Sequence, residues 1–449
     1  MSDLLQIGRS GVLAYQTALS AVSENVVNAN TDGYVRRQVT MQEAASGSGP
    51  MYLYRASSAF GGVQATQVTR VWDQFSQSKA WTTNSDNSQA SARQTWFTNV
   101  QNSLDDSDTG VGSKLTAVFT AGNALAANPT DTTARQGLIN AMQDAASAIT
   151  TTGANLATVA QGVTSQAQEA AAQVNDALTS LAKINLALKN SSQGTSGYAS
   201  LEDQRDSLIT NISDKLGVDV SFDTYGAATV RMNDSNGPIL VDSNSVVPAT
   251  LGLTVSSTGT LNMTVSSGGN TAAISPTSGS LAGYAEAANQ VAGRRQQIDA
   301  LAVTFAQQMN SWNSAGVDNA GNPGAGVMSG TDAASLQVTI TDPNLIAAAD
   351  ATTGNGNILA LQSLRGTGGI ETTWKGIVNE QALKVQSATS LATVAANAKS
   401  SADSALSDSS GVDLDNEAAD LMRFQQAYSA SAKIIQTARD TLQAVLDLF

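Results

Sequence analysis

The sequence predicts a mainly α-helical protein with an inserted β-rich domain and a long amphipathic helix at each terminus. Three observations support this fold class. Apolar residues recur every seven residues near both ends, most of the chain between them has helical periodicity, and residues 218–278 alternate with a period of two. With 449 residues, 41% of them hydrophobic, the chain is long enough for two to four domains with buried cores.

Residues 4–30 are predicted to form one amphipathic helix. Its apolar residues repeat with a seven-residue spacing and form an a/d stripe along one face. The stretch 28–33 (Asn-Ala-Asn-Thr-Asp-Gly) ends the helix, because Asn and Gly tolerate left-handed geometry. The predicted interface on this helix consists of Leu5, Val12, Tyr15, Leu19, Val22 and Val26.

Residues 411–449 mirror this pattern with a strict seven-residue series. Asp413, Asp415 and Glu417 fall in the first turn, where acidic side chains complement the helix dipole. An apolar stripe of this length needs a partner, and two arrangements are open. The terminal helices pair with each other within one chain, or both join a helical core built from several subunits. The C-terminal stripe consists of Leu414, Leu421, Tyr428, Ile435, Leu442 and Phe449, and Gln425 completes the predicted interface on this helix.

A mainly helical middle domain is predicted for residues 35–217 and 279–410, with a strand region near 35–72 that includes residues 51–54. The helices are expected at 74–104, 112–127, 132–150, 153–190, 199–216, 280–312 and 371–405. The core residues expected in the first of these helices are Phe75, Trp81, Trp96, Phe97 and Leu104.

The β-rich outer domain is predicted for residues 218–278, where five period-two runs are separated by Gly, Asn, Ser and Thr. It interrupts the middle domain, and the middle domain in turn interrupts the terminal coiled-coil domain, residues 1–34 and 411–449. This nested order places both termini at one end of a long molecule, which suits a subunit of a rod-like assembly.

The composition excludes several classes of chemistry. The chain contains no histidine and no cysteine, so a Ser-His-Asp triad, a His-ligated metal, a disulfide and a thiolate nucleophile are impossible. The net charge of −14 argues against nucleic-acid binding. No apolar run reaches the length of a membrane span, and the first thirty residues do not read as a cleavable secretion signal. We therefore expect that the protein is not an enzyme, binds no cofactor or metal, and does not insert into a membrane.

Some acidic groups resemble metal or catalytic sites, but their spacing favours other roles. A calcium loop starting at Asp106 has Ala117 at its twelfth position, where an EF-hand needs Glu. The loop around Asp318 is interpreted as a polar loop. The carboxylates and the arginine of residues 202–206 are expected to pair locally on a helix.

The residues after the first helix resemble a signature of the bacterial flagellar rod, hook and hook-associated proteins. The signature covers residues 25–34, and Asp32 stands where the family usually carries Pro. The residues that carry the resemblance are Asn25, Asn28, Asn30, Thr31, Gly33 and Tyr34.

Four further stretches resemble the hook-associated branch of that family, the junction proteins between hook and filament. They are residues 115–135, 201–206, 298–310 and 411–428; the last contains Gln425 and Tyr428. The β-rich segment, residues 218–278, contains none of these stretches and fits the variable outer domain of the family.

The resemblance implies a structural subunit that assembles through its terminal helices. Its implied partners are copies of itself, hook subunits, the second junction protein, filament-side subunits and a cytoplasmic export chaperone that binds the C-terminal stripe. It also implies flagellar type III export without a cleaved signal and an extracellular location at the hook–filament junction. A hook or rod subunit is the first alternative. A secreted adhesin or carbohydrate-active protein that uses the β-rich segment is the alternative from a different class.

Overall fold

The computed structural model of the chain describes residues 2–44 and 61–447. The predicted strand at 51–54 and the predicted interface residue Phe449 lie outside the described residues. The helices are α1 (Ser2–Asn28), α2 (Gln74–Ser103), α3 (Val111–Ala127), α4 (Thr132–Asn190), α5 (Ser196–Lys215), α6 (Ser280–Ser314), α7 (Gly356–Ala360), α8 (Ile370–Ser410) and α9 (Leu414–Leu446). The strands are β1 (Arg37–Glu43), β2 (Val63–Arg70), β3 (Val218–Phe222), β4 (Ala228–Met232), β5 (Ile239–Val241), β6 (Thr250–Val255), β7 (Leu261–Ser267), β8 (Asn270–Ile274), β9 (Met328–Ser329) and β10 (Gln337–Val338).

Helix α4 is one continuous helix of 59 residues, where two helices separated near residue 151 were predicted. Its N-cap is Asp131, whose side chain accepts a hydrogen bond from the Thr133 amide at 2.8 Å. Gly153 does not break it. A Cβ atom at that position would lie 3.1 Å from the Cβ of Ala333, so the glycine allows a close approach between segments.

The main hydrophobic core lies between α2, α3, α4, α6 and α8. Its largest fully buried side chains include Phe119, Phe305 and Trp374. Helices α2 and α8 run antiparallel, and the Gln381 side chain of α8 donates to the Phe97 carbonyl of α2 at 2.8 Å. The buried Arg294 of α6 donates to the Gln381 side-chain oxygen at 3.0 Å, so a polar layer fixes the register of three helices.

The β-rich segment forms two antiparallel three-stranded sheets, in the orders β3-β4-β5 and β6-β7-β8. Strand β8 was not predicted. Both sheets pack against α4, and Val230 and Leu251 lie in the same buried cluster as Leu178 of α4 and Ile209 of α5. The strands therefore share a hydrophobic core with helices of the middle domain.

The two terminal helices α1 and α9 lie side by side in antiparallel orientation. Strands β1 and β2 form a two-stranded antiparallel ribbon that packs on α1, and its register runs from Arg37 opposite Arg70 to Glu43 opposite Val63. The end of α8 joins this group, because the Ser410 carbonyl accepts a hydrogen bond from the Arg36 amide at 3.0 Å.

Within the described residues, every helix is too short or too polar to cross a membrane.

Candidate assembly interface

Small residues allow α1 and α9 to approach closely. A Cβ atom on Gly8 would lie 2.6 Å from Cγ1 of Ile435, and one on Gly11 would lie 2.5 Å from the Ser431 hydroxyl oxygen. Both separations are shorter than real Cβ contacts. The two glycines therefore set the spacing of the helix pair near the N-terminal end of α1.

The predicted stripe of α1 lies mostly at the margin of this contact. Val22 is buried, Val26 is exposed, and Leu5, Val12, Tyr15 and Leu19 are half-buried. The buried face of α1 consists mainly of small residues because α9 and the ribbon both pack against it. Its buried members are Gly8, Gly11, Ala14, Ala18, Ala21, Val22 and Asn25.

On α9 the predicted series occupies the outer of two neighbouring heptad columns. Leu421 and Ile435 are half-buried, whereas Leu414, Gln425, Tyr428 and Leu442 are exposed. The deeper column consists of Glu417, Phe424, Ser431 and Ala438. Contact with α1 therefore leaves much of the apolar surface of α9 uncovered, and Leu446 is 60% exposed.

Asn25 of the signature makes a full set of hydrogen bonds at the base of the terminal helix pair. Its side-chain oxygen accepts from the Arg37 amide at 2.9 Å and from the Tyr34 hydroxyl at 2.8 Å. Its side-chain nitrogen donates to the Arg37 carbonyl at 2.9 Å and to Glu417 at 3.0 Å. Asn25 thus pairs with both backbone groups of Arg37, as an adjacent strand would, and only a side-chain amide supplies two donors and two acceptors in this geometry.

Glu417 is fully buried, although its sequence position suggested an acidic residue that complements the helix dipole. Its carboxylate lies 2.6 Å from Nε of Arg36 and accepts the hydrogen bond from Asn25. The helix dipole is instead complemented by Asp413, the N-cap of α9, which accepts from the Asp415 amide at 2.9 Å. We call Asn25, Tyr34, Arg36, Arg37 and Glu417 the clamp, because they join α1, β1 and α9.

An ionic cluster connects the clamp to α5. Arg37 pairs with Glu24 and lies 3.4 Å from Asp203, while Arg70 lies 2.8 Å from Asp203 and 2.7 Å from Asp206. The carboxylates and the arginine of residues 202–206 were expected to pair locally. Two of these local pairs form, because Arg205 lies 2.8 Å from Asp206 and 3.8 Å from Glu202. Asp203 and Asp206 also bind arginines of β1 and β2.

Burial changes the titration of two groups at this junction. It raises the pKa of Tyr34 to about 12, so the phenol stays protonated and can donate to Asn25. It also raises the pKa of Asp203 to about 6, although Arg70 and Arg37 act in the opposite direction. The contact between Arg70 and Asp203 lacks hydrogen-bond geometry, and the hydrogen bond from Arg37 to Asp203 is long. The two arginines therefore only partly replace the water that would stabilise the ionised carboxylate.

The exposed part of the signature lines a cleft of about 700 Å³ against α4 and α5. Asn28 and Tyr34 are half-buried, whereas Asn30, Thr31 and Gly33 are exposed. Asn28 donates to the Glu24 carbonyl at 2.9 Å, which closes the last turn of α1. The signature therefore shapes the end of the helix and the entry to the ribbon.

The acidic loops that resembled metal sites cap turns in the structure. Asp105 accepts from the Ser107 amide at 3.1 Å, and Asp318 accepts from the amides of Ala320 and Asn322, each at 2.8 Å. Within residues 2–44 and 61–447, no group of three acidic side chains is arranged to hold a metal ion.

Comparison with models of protein families shows to which family the chain belongs. Residues 97–328 match the family model described as the flagellar hook-associated protein FlgK helical domain. The chain belongs to the FlgK family. Residues 405–448 also match the C-terminal model of the flagellar basal body rod FlgEFG proteins, and this stretch contains α9.

Curated relatives carry the same family name. The flagellar hook-associated protein 1 of Salmonella typhimurium is 25% identical over 332 residues, which cover 72% of this chain and 59% of that protein. The chain therefore spans about three-fifths of the length of this relative. The flagellar hook-associated protein 1 of Bacillus subtilis is 23% identical, with 99% of this chain and 97% of that protein covered.

A solved structure supports the same relationship. The flagellar hook junction protein FlgK from Burkholderia pseudomallei aligns with a TM-score of 0.50 and 27% identity. The alignment covers 56% of this chain and 46% of that one.

Proposed function

We propose that the chain is a structural subunit of the bacterial flagellum that forms the junction between hook and filament. The observation that carries this proposal is the α1–α9 pair of an FlgK-family chain, which leaves apolar side chains exposed along its whole length. Leu13 and Val27 of α1 and Leu442 and Val445 of α9 are each at least 40% exposed. Single exposed apolar residues are ordinary, but a continuous set on a terminal helix pair marks an association surface.

The proposed mechanism is helical self-assembly through the terminal helices. The inner heptad column of α9 holds α1 within the chain, and the outer column then packs against the terminal helices of neighbouring copies. Full burial of a Leu-sized side chain contributes roughly 1.5–3 kcal/mol, so several half-exposed positions per subunit suffice to drive association. The contacts are heterologous, as an open tubular assembly requires.

The partners in this proposal are copies of the chain, hook subunits on one side, and the second junction protein and filament-side subunits on the other. The exposed stripe of α9 is also the proposed binding site of a cytoplasmic export chaperone. Export follows the flagellar type III route, and the final location is extracellular.

The test uses two aspartate substitutions on α9. Leu442→Asp places a charge on the exposed apolar column, whereas Gln436→Asp places the same charge about 120° away around the helix. Because both positions are exposed, both variants are expected to keep the wild-type circular dichroism spectrum. We expect Leu442→Asp to reduce the number of filament-bearing flagella at least tenfold and Gln436→Asp to leave it unchanged. Normal filament numbers in Leu442→Asp cells would contradict the assembly role of this column.

A hook or rod subunit is the second candidate, because residues 405–448 match the rod-protein C-terminal model. Immunogold labelling of isolated flagella distinguishes the two. The junction proposal predicts label at the boundary of hook and filament, and label along the hook or in the rod would favour the alternative.

A further inference from the structure

Helix α8 carries a row of exposed side chains outside its contact with α2. Helical periodicity places seven residues on this face, and all seven are exposed. Leu383 and Val394 are each 66% exposed, which is high for apolar side chains in the middle of a long helix. We call this set of residues the α8 row; it consists of Leu383, Ser387, Leu391, Val394, Ala398, Ser401 and Ala405.

This part of α8 is uncharged. Residues 385–398 contain no Asp, Glu, Lys or Arg, and the next two charges, Lys399 and Asp403, neutralise each other at 2.6 Å. The whole chain has a net charge of −14, so two copies repel each other wherever their acidic surfaces meet. A partner attracted by charge would find no counter-charge on the α8 row, whereas a second copy can approach there without electrostatic cost.

A cleft extends the α8 row toward the start of the helix. It has a volume of about 400 Å³, lies between α6 and α8, and is lined by Leu301, Gly376, Ile377 and Glu380, among others. Gly376 and Glu380 fall on the same face of α8 as the row. The cleft is large enough for one or two side chains of a packed neighbour.

The size of this surface indicates what kind of contact it makes. From Gly376 to Ala405 the helix extends for about 44 Å, and a band ~10 Å wide along it offers roughly 400 Å² per copy. Two such surfaces bury less than about 1,000 Å², which is below the standard size of a stable protein pair. A contact of this size does not hold two free copies together, but it contributes when the same contact repeats along an assembly.

We propose that the α8 row, with the cleft at its head, is a contact surface for a second copy of this chain in the assembled state. The inference rests on the proposed function, because it requires copies to be held in a lattice. It adds a contact on the middle domain that is separate from the terminal helices.

The first test measures whether the row is covered after assembly. The chain has no cysteine, so one introduced thiol reports on one position. Val394→Cys is expected to react with maleimide-polyethylene glycol in the purified chain and at least tenfold more slowly in isolated flagella. The matched control is Thr393→Cys, which points about 100° away on the same helix. We expect it to react at similar rates in both states.

The second test identifies the occupant. Benzoylphenylalanine at Leu391, activated in isolated flagella, is expected to give a crosslinked product with twice the mass of the chain. A product with a different protein, or none, would overturn the proposal. If the chain is not found in isolated flagella, the proposed function and this inference are both wrong. Flagella that contain the chain, but with Val394→Cys reacting as fast as in the purified chain, would overturn this inference alone.

Discussion

Replacing Glu417 by Ala tests the clamp most sharply. The substitution removes the carboxylate that accepts from Asn25 at 3.0 Å and pairs with Arg36 at 2.6 Å. A buried hydrogen bond to a charged group contributes about 1.5–3 kcal/mol, and a partly exposed ion pair adds up to about 1 kcal/mol. Since Glu417 is fully buried, we expect a loss of about 3 kcal/mol in the free energy of opening α9.

The assay is amide hydrogen exchange of the purified chain, followed by mass spectrometry. Because each 1.4 kcal/mol corresponds to a factor of ten, exchange in the first turns of α9 and at the end of α1 should accelerate about 100-fold. The core helices α3 and α4 should be unaffected. The matched control is Asp415→Ala in the same turn, which is exposed and should change exchange only about two- to threefold through the helix dipole.

A double-mutant cycle separates the ion pair from the hydrogen bond. Glu417→Ala and Arg36→Ala should show a coupling energy of at least about 1 kcal/mol, because the two side chains are in direct contact. If Glu417→Ala exchanges within threefold of Asp415→Ala, the reasoning about the clamp is refuted.

Three further predictions concern the same end of the molecule. Asn25→Asp should lower the free energy of unfolding, measured in urea, by about 3 kcal/mol. The substitution removes both N–H donors of the side chain and places a second carboxylate beside Glu417. An unchanged free energy of unfolding would contradict the hydrogen bonds assigned to Asn25. Gly8→Ala should destabilise the chain by about 1–2 kcal/mol through overpacking, whereas Gly137→Ala, which meets open space in α4, should stabilise it by about 0.5–1 kcal/mol in thermal unfolding. Burial raises the pKa of Asp203 above its unfolded value, so the stability associated with this group is full below about pH 4 and falls as the pH rises through about 6. The free energy of unfolding of Asp203→Asn, relative to that of the wild type, should therefore rise by roughly 2 kcal/mol or more between pH 4 and pH 8. A difference that stays constant over this pH range would contradict the raised pKa of Asp203.

The helical framework was largely predictable because local periodicity and caps determine it. Helices α1, α2, α3, α5, α6 and α9 start and end within a few residues of the predicted bounds. The exception is Gly153 in α4. A glycine in a helix suggests a break, but here it is retained for the close approach of Ala333, which lies 180 positions later in the chain and is invisible to local pattern.

Burial along α2 was less predictable than the helix itself. Trp81, Phe97 and Leu104 are buried as predicted, and Trp96 is half-buried, but Phe75 is 80% exposed. Hydrophobicity alone placed Phe75 in the core. Its position in the first turn of α2 leaves it outside the layer formed by α5, α6 and α8, which only the tertiary structure defines.

The clamp could not be derived from the sequence because its partners are far apart. Asn25 and Glu417 are separated by 392 positions, and each had a satisfactory local explanation, as a helix end and as a first-turn acid. One signal was available. Glu417 occupies the same heptad column as Ser431 and Ala438, and a carboxylate in a buried column requires a buried partner.

The central claim is that this FlgK-family chain forms the hook–filament junction through its terminal helices. Electron cryomicroscopy of flagella isolated from cells that produce the chain tests it most directly. The account predicts density for the chain between hook and filament, with α1 and α9 packed against the terminal helices of neighbouring copies. Absence of the chain from that position, or its presence there with α1 and α9 touching no neighbour, would contradict it.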